Sequence, residues 1–303
     1  MRFLVPVTSF MSLPKDGRRN GLLLGPVGAD SWGDWWTEVN ESHTWQHGTF
    51  ETLAALYLVV GIVALVQLIR IHWRVPEFGW TTQKVFHLLN FVVNTLRALV
   101  FIFREPVQAL SVRVLGAALL DLPGLLFFTT YTLLVLFWAE IYHQAKRLPT
   151  DYLKPVFFGI NVAVYGLQGG IWVFMYGYPS AHDSMDFWAK IFFAVISFMA
   201  ALGFIVYGGC LFNMLRTFPI ESKGRRKKLS EVGFVTLICF ICFTFRGIVV
   251  SVSAFEKSVD LDVLNHPILN FIYYMIAEII PSALVLYILR KLPPRRMTYH
   301  PIR

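Results

Sequence analysis

The chain has 303 residues, is 56 % hydrophobic and 15 % charged, and has a mean hydropathy of +0.56. A soluble domain is about 45–50 % apolar and about 25 % charged, and it does not carry repeated uninterrupted apolar runs of about twenty residues. The net charge of +8 lies in short segments between such runs, which suits anionic headgroups and argues against direct nucleic-acid binding.

In chain order, residues 1–33 show no packing pattern and no clear secretory signal, and they read as a flexible tail. A membrane domain over 34–296 follows. Its spans are expected at about 50–71, 85–104, 114–141, 153–176, 188–215, 231–254 and 268–290. Residues 297–303 form a short terminal tail. The expected fold class is an all-α integral membrane protein, a bundle of seven transmembrane helices. Short connections favour one compact bundle, and no internal repeat of the transporter kind is visible.

Charge orients the bundle. The connections after spans 1, 3 and 5, together with the C-terminal segment, hold seventeen Lys and Arg residues. The opposite side carries few basic residues near the spans, and several acidic ones. The positive-inside rule then predicts a lumenal N-terminus and a cytosolic C-terminus. Trp45, Trp73, Trp80, Trp138 and Trp188 fall near expected span ends, as an aromatic belt would. Asn40-Glu41-Ser42 is a glycosylation sequon on the predicted lumenal side, close to the first span.

Four charged residues lie within spans: Arg97, Asp121, Arg246 and Glu278. Each costs roughly 2.5–3.5 kcal/mol at a helix centre, so each needs a partner. Helical spacing puts His87, Asn90, Asn94 and Arg97 on one stripe of span 2. Asn161, Tyr165, Gln168 and Trp172 share a stripe of span 4. Cys239, Cys242, Arg246 and Ser253 share a face of span 6, as do Asn270, Tyr274, Glu278 and Ser282 in span 7. These stripes should face inward. Two readings fit the set Asn94, Arg97, Asp121, Arg246 and Glu278. One is a structural polar network that fixes helix register. The other is a small-molecule, ion or proton site, as in a seven-span receptor or transporter. Gly166-xxx-Gly170 is expected to pack within the bundle, and Pro123 and Pro281 to kink their helices.

Catalytic chemistry has no visible seat. No nucleophile arrangement, phosphate loop or metal-ligand set emerges, so the reading is non-enzymatic, with no cofactor and no metal. Cys239 and Cys242 sit among apolar residues and read as buried small side chains rather than a zinc or redox pair. Span 3 ends in Trp138–His143 without the acidic-Arg-aromatic triad of rhodopsin-like receptors. Span 7 lacks both their Asn-Pro-x-x-Tyr and a Lys for retinal.

The densest charge run is Arg216 to Glu231, with Lys223, Arg225, Arg226, Lys227 and Lys228, preceded by Phe218, Pro219 and Ile220. Lys291, Arg295 and Arg296 make a second basic element, stiffened by Pro293 and Pro294. Together they predict a cytosolic face for docking a partner protein or anionic lipids.

The stretches RVPEFGWTTQKVFHLLNFVVN (74–94), LDLPGLLFFTTYTLLVLFWAEIYHQAKRLPTD (120–151), FPIESKGRRKKLSE (218–231) and DLDVLNHPILNFIYYMIAEIIPSALVLYILRKLPP (260–294) closely resemble the plant tobamovirus multiplication protein family. The resemblance covers about residues 34–296. It implies a seven-span protein of the vacuolar membrane that serves as a host factor for tobamovirus RNA replication. The implied partners are the helicase region of the viral replication protein and an Arf-like small GTPase; apart from the resemblance, membrane lipids are expected at the basic face, and a homo-oligomer of the chain is a further candidate. The resemblance implies no catalytic residues.

Overall fold

The computed structural model describes residues 42–74, 81–104, 106, 113–178, 182–217, 223–255 and 267–290. Seven helices among them are long and apolar enough to cross a membrane, and no strand occurs among the described residues. Span 1 is His43–Arg74, span 2 Thr82–Ile102, span 3 Arg113–Ala145 and span 4 Leu153–Gly177. Span 5 runs from His182–Gly203 through a π-helical turn, Phe204–Gly208, into Gly209–Thr217. Span 6 is Lys223–Phe255. Span 7 joins Pro267–Tyr274, a π-helical turn Met275–Ile279, and Ile280–Leu289.

The packing follows the chain, because short connections keep neighbours antiparallel. Spans 1 and 2 pack most extensively, then spans 5 and 6, and span 7 lies against spans 1 and 6. Span 3 is the most buried helix. Its Phe127 and Tyr131 stack into a cluster with Phe204 of span 5 and Phe243 of span 6, with ring centroids 4.5 Å apart for Phe127–Tyr131 and 5.1 Å for Tyr131–Phe243. Such tilted and edge-on pairs add to the packing that must hold helices together where lipid removes the hydrophobic drive. Cys239 and Cys242 are buried beside this cluster, and neither is in a disulfide.

Local chemistry sets the ends and breaks. Thr81 caps span 2 by accepting the backbone N–H of Lys84 at 3.3 Å. The connection from span 3 to span 4 is tight. Arg147 takes a left-handed conformation (φ 56°), and Leu148 N–H closes onto His143 C=O at 2.8 Å. His143 Nδ1 lies 3.1 Å from Pro149 O and 3.3 Å from Tyr152 Oη. In span 7, Pro281 has no N–H to give the turn before it, and the π turn falls immediately there.

Three expectations are corrected. Trp138 is buried against Phe204, 5.5 Å between centroids, and is not part of an interfacial belt. Span 3 continues to Ala145, so position 138 lies inside it. Trp45, Trp73 and Trp188 are exposed near helix ends, and Trp80 lies outside the described residues. Gly166 and Gly170 do not pack within the bundle, because none of the described residues lies within 4 Å of a side chain built at either. Span 4 is the least buried helix and turns Asn161, Val164 and Gln168 inward instead. Span 6 begins at Lys223, well before its apolar stretch at Ser230, so the basic run is helix and not loop.

Candidate functional site

Glu278 is delivered to the bundle interior by the π turn of span 7. Arg97 reaches it from span 2 in a two-pronged contact, Nη2 to Oε1 at 2.6 Å and Nε to Oε2 at 3.0 Å. Arg246 of span 6 donates through Nη1 to the same Oε1 at 2.8 Å. Tyr57 of span 1 donates its hydroxyl to Oε2 at 2.8 Å. A carboxylate offers about four acceptor sites, and all are taken. Glu278 is 1 % exposed, Arg97 5 % and Arg246 6 %. Burial of three charges is tolerable only because the pairing is close to complete. The guanidiniums also lie over rings, Arg97 over Tyr274 at 5.0 Å and Arg246 over Phe127 at 5.4 Å.

The other two residues of the expected set go elsewhere. Asp121 accepts from Gln168 Nε2 at 3.0 Å and Trp172 Nε1 at 3.1 Å, both on span 4 and both at Oδ2. Asn94 is buried but donates to Asn90 O, 2.6 Å away on its own helix. The rest of the span 2 stripe is inward too: His87 is buried, with Nε2 2.9 Å from Gln67 Oε1 of span 1. The span 4 stripe faces span 3, where Thr129 Oγ1 lies 2.9 Å from Asn161 Oδ1 and 3.0 Å from Tyr165 Oη. Ser282 of span 7 is 3.4 Å from Tyr131 Oη.

Beside this network is a cavity of about 220 Å³, lined among others by Arg97, Asp121, Gly124, Lys190, Arg246 and Ser253. Its wall joins the two subnetworks, since Arg97 Nη1 donates to Leu120 O at 3.4 Å, next to Asp121. Arg246 Nη2 rests so closely on Gly124 that a β-carbon there would sit 2.9 Å from it. Asp186 and Lys190 pair at 2.9 Å on the first turns of span 5, with Asp186 half exposed. Tyr57, which stands alone in an apolar run, and Gly124 carry no signal in the sequence pattern.

The basic face is only partly described. Arg216 is exposed near the end of span 5. Lys223, Arg225, Arg226, Lys227 and Lys228 occupy the first turns of span 6, with their side chains outside the described residues. Lys291, Arg295, Arg296 and Asn40 also lie outside them. Lys84, expected among the cytosolic charges, is buried.

Fold and network together define a seven-helix membrane protein clasped by a buried Arg–Glu–Arg cluster. Residues 31–303 match the model of the THH1/TOM1/TOM3 domain, and the chain belongs to that family. It is 62 % identical to tobamovirus multiplication protein 1 of Arabidopsis thaliana over 273 residues, 89 % of this chain and 92 % of that protein. It is 61 % identical to tobamovirus multiplication protein 1 of Nicotiana tabacum, over 89 % of this chain and 93 % of that one. Identity to tobamovirus multiplication protein 3 of Arabidopsis thaliana is 58 %, over 89 % of each chain. No solved structure matches.

Proposed function

We propose that the chain is a host scaffold for tobamovirus multiplication, which docks the viral replication protein by its helicase region on the vacuolar membrane. The observation that carries this reading is the helical form of the basic run. Positions 223–228 lie on the same continuous helix as span 6, ahead of the apolar stretch that starts at Ser230. A helix rises about 1.5 Å per residue. The run therefore stands as a charged extension fixed to the membrane domain, a better docking element than a loose loop because its order is prepaid. Membership in a family whose relatives are named for tobamovirus multiplication supports the viral partner.

The mechanism is tethering. Holding a partner at a surface raises its effective concentration without chemistry. An Arf-like GTPase and anionic lipids would use the same basic face, with the C-terminus cytosolic. The test is pull-down of the helicase region by the reconstituted full chain. Replacing Arg225, Arg226, Lys227 and Lys228 by Ser should sharply reduce capture while insertion is retained. Unchanged capture removes this helix from the docking face.

A further inference from the structure

The cavity beside the Arg–Glu–Arg cluster lies apart from the basic docking face, and scaffolding does not use it. It sits at the end of the bundle where spans 3, 5 and 7 begin and spans 2 and 6 finish. Arg97 lies five residues before the last residue of span 2, and Asp186 four residues after the first of span 5.

Two groups on its wall have capacity left. Arg246 spends only Nη1 on Glu278. Among the described residues its Nη2 and Nε have no hydrogen-bond partner, although the side chain is more than nine-tenths buried. Asp121 spends only Oδ2, on Gln168 and Trp172. Its Oδ1 has no partner among the described residues, and Asp121 lines the same cavity as Arg246. One wall thus holds spare cationic donors and another a spare anionic acceptor.

Charge balance then selects the ligand. Arg97, Arg246 and Lys190 face or border the space, against Asp121, Asp186 and, just behind the arginines, Glu278. A simple anion would meet Asp121, and a simple cation would meet Arg246. A molecule carrying both signs satisfies both groups, in a setting where low dielectric strengthens each contact. The volume of about 220 Å³ compares with about 30 Å³ per water molecule, enough for a small solute and too little for a peptide. Ala117, Gly124 and Ala189 keep the space open, while Met175, Phe193 and Val250 give an apolar side.

We propose that this cavity binds a free α-amino acid, with its carboxylate on Arg246 and its ammonium on Asp121. The site makes the chain a small-solute binder in addition to a scaffold, and it is independent of viral docking.

Calorimetric titration of the full chain in lipid nanodiscs tests this, with each standard amino acid run singly at millimolar concentration. At least one should bind saturably. Its N-acetyl and methyl-ester forms should bind at least about tenfold more weakly. Asp121→Asn should weaken binding by a similar factor, because Asn keeps the acceptor for Gln168 and Trp172 but loses the charge. Ala117→Leu should fill the space and abolish binding, and it serves as the deciding variant where Asp121→Asn does not fold. The proposal is overturned if no amino acid binds, or if the N-acetyl form binds as well as the free one. It is equally overturned if Ala117→Leu leaves affinity unchanged, or if glycerophosphoethanolamine binds where amino acids do not, which would mark a lipid-headgroup site.

Discussion

Arg97 and Arg246, on spans 2 and 6, converge on one oxygen atom. Glu278 Oε1 lies 2.6 Å from the first and 2.8 Å from the second. Among the described residues neither arginine is paired with a carboxylate of its own, so the three residues stand or fall together.

Glu278→Leu should therefore destabilise the bundle more than a single lost pair, by about 3–5 kcal/mol or beyond, because two guanidiniums are left buried. Adding Arg246→Leu should restore only part of the loss, since Arg97 still lacks its partner. Replacing both arginines with Met in the Glu278→Leu background should restore most of it. Thermal unfolding of detergent-solubilised protein, followed by size-exclusion chromatography, measures all three. Full rescue by Arg246→Leu alone would show that Arg97 is held by something else.

Tyr57→Phe removes one of four donors to Glu278 and leaves the ring in place. Buried side-chain hydrogen bonds between membrane helices average about 0.6 kcal/mol and reach about 1.7. A loss of about 1 kcal/mol is expected in the same assay. A loss as large as that of Glu278→Leu would make Tyr57 indispensable to the cluster.

Gly208 should tolerate no side chain. A β-carbon there would collide with the Thr236 side chain and sit 2.9 Å from Trp138 Cζ3. Gly208→Val should cost about 1–3 kcal/mol by overpacking. Gly124→Ala should be harmful in a different way, displacing Arg246 Nη2 from its seat. Normal melting of both variants would contradict these close approaches.

Gly166→Leu and Gly170→Leu should leave monomer stability unchanged, because both positions open onto empty space. If the chain self-associates through span 4, the same changes should shift its elution toward monomer at unaltered melting temperature.

Orientation has its own test. A glycosylation sequon inserted within 256–266 should acquire a glycosidase-sensitive mass, and one inserted within 218–222 should not. The reverse pattern would put the basic face in the lumen and remove the docking proposal with it.

The sequence made the spans and the inward faces legible for simple reasons. Hydropathy records length against the bilayer, and helical period records which residues share a face. Arg97, Arg246 and Glu278 were visible because a charge inside a span needs company. The pairing was not visible, because position along a helix gives depth and says nothing of rotation around the bundle. Asp121 shares the depth of the arginines, yet it turns to Gln168 and Trp172 of span 4. Asn94 shares the stripe of Arg97, yet its amide is satisfied one turn back. Span 6 starts at Lys223, ahead of its apolar stretch, because Arg and Lys favour helix.

The cluster also imposes an order on biogenesis. Arg97 leaves the ribosome with span 2 and Arg246 with span 6, whereas their common carboxylate arrives only in the final span. Until then the nascent chain holds two arginines at membrane depth without the carboxylate they share, each at a cost in free energy. Completion of span 7 supplies the anion and draws in Tyr57 from the first helix. The last helix to be made is thus the clasp, and a chain truncated ahead of Pro267 has nothing with which to close.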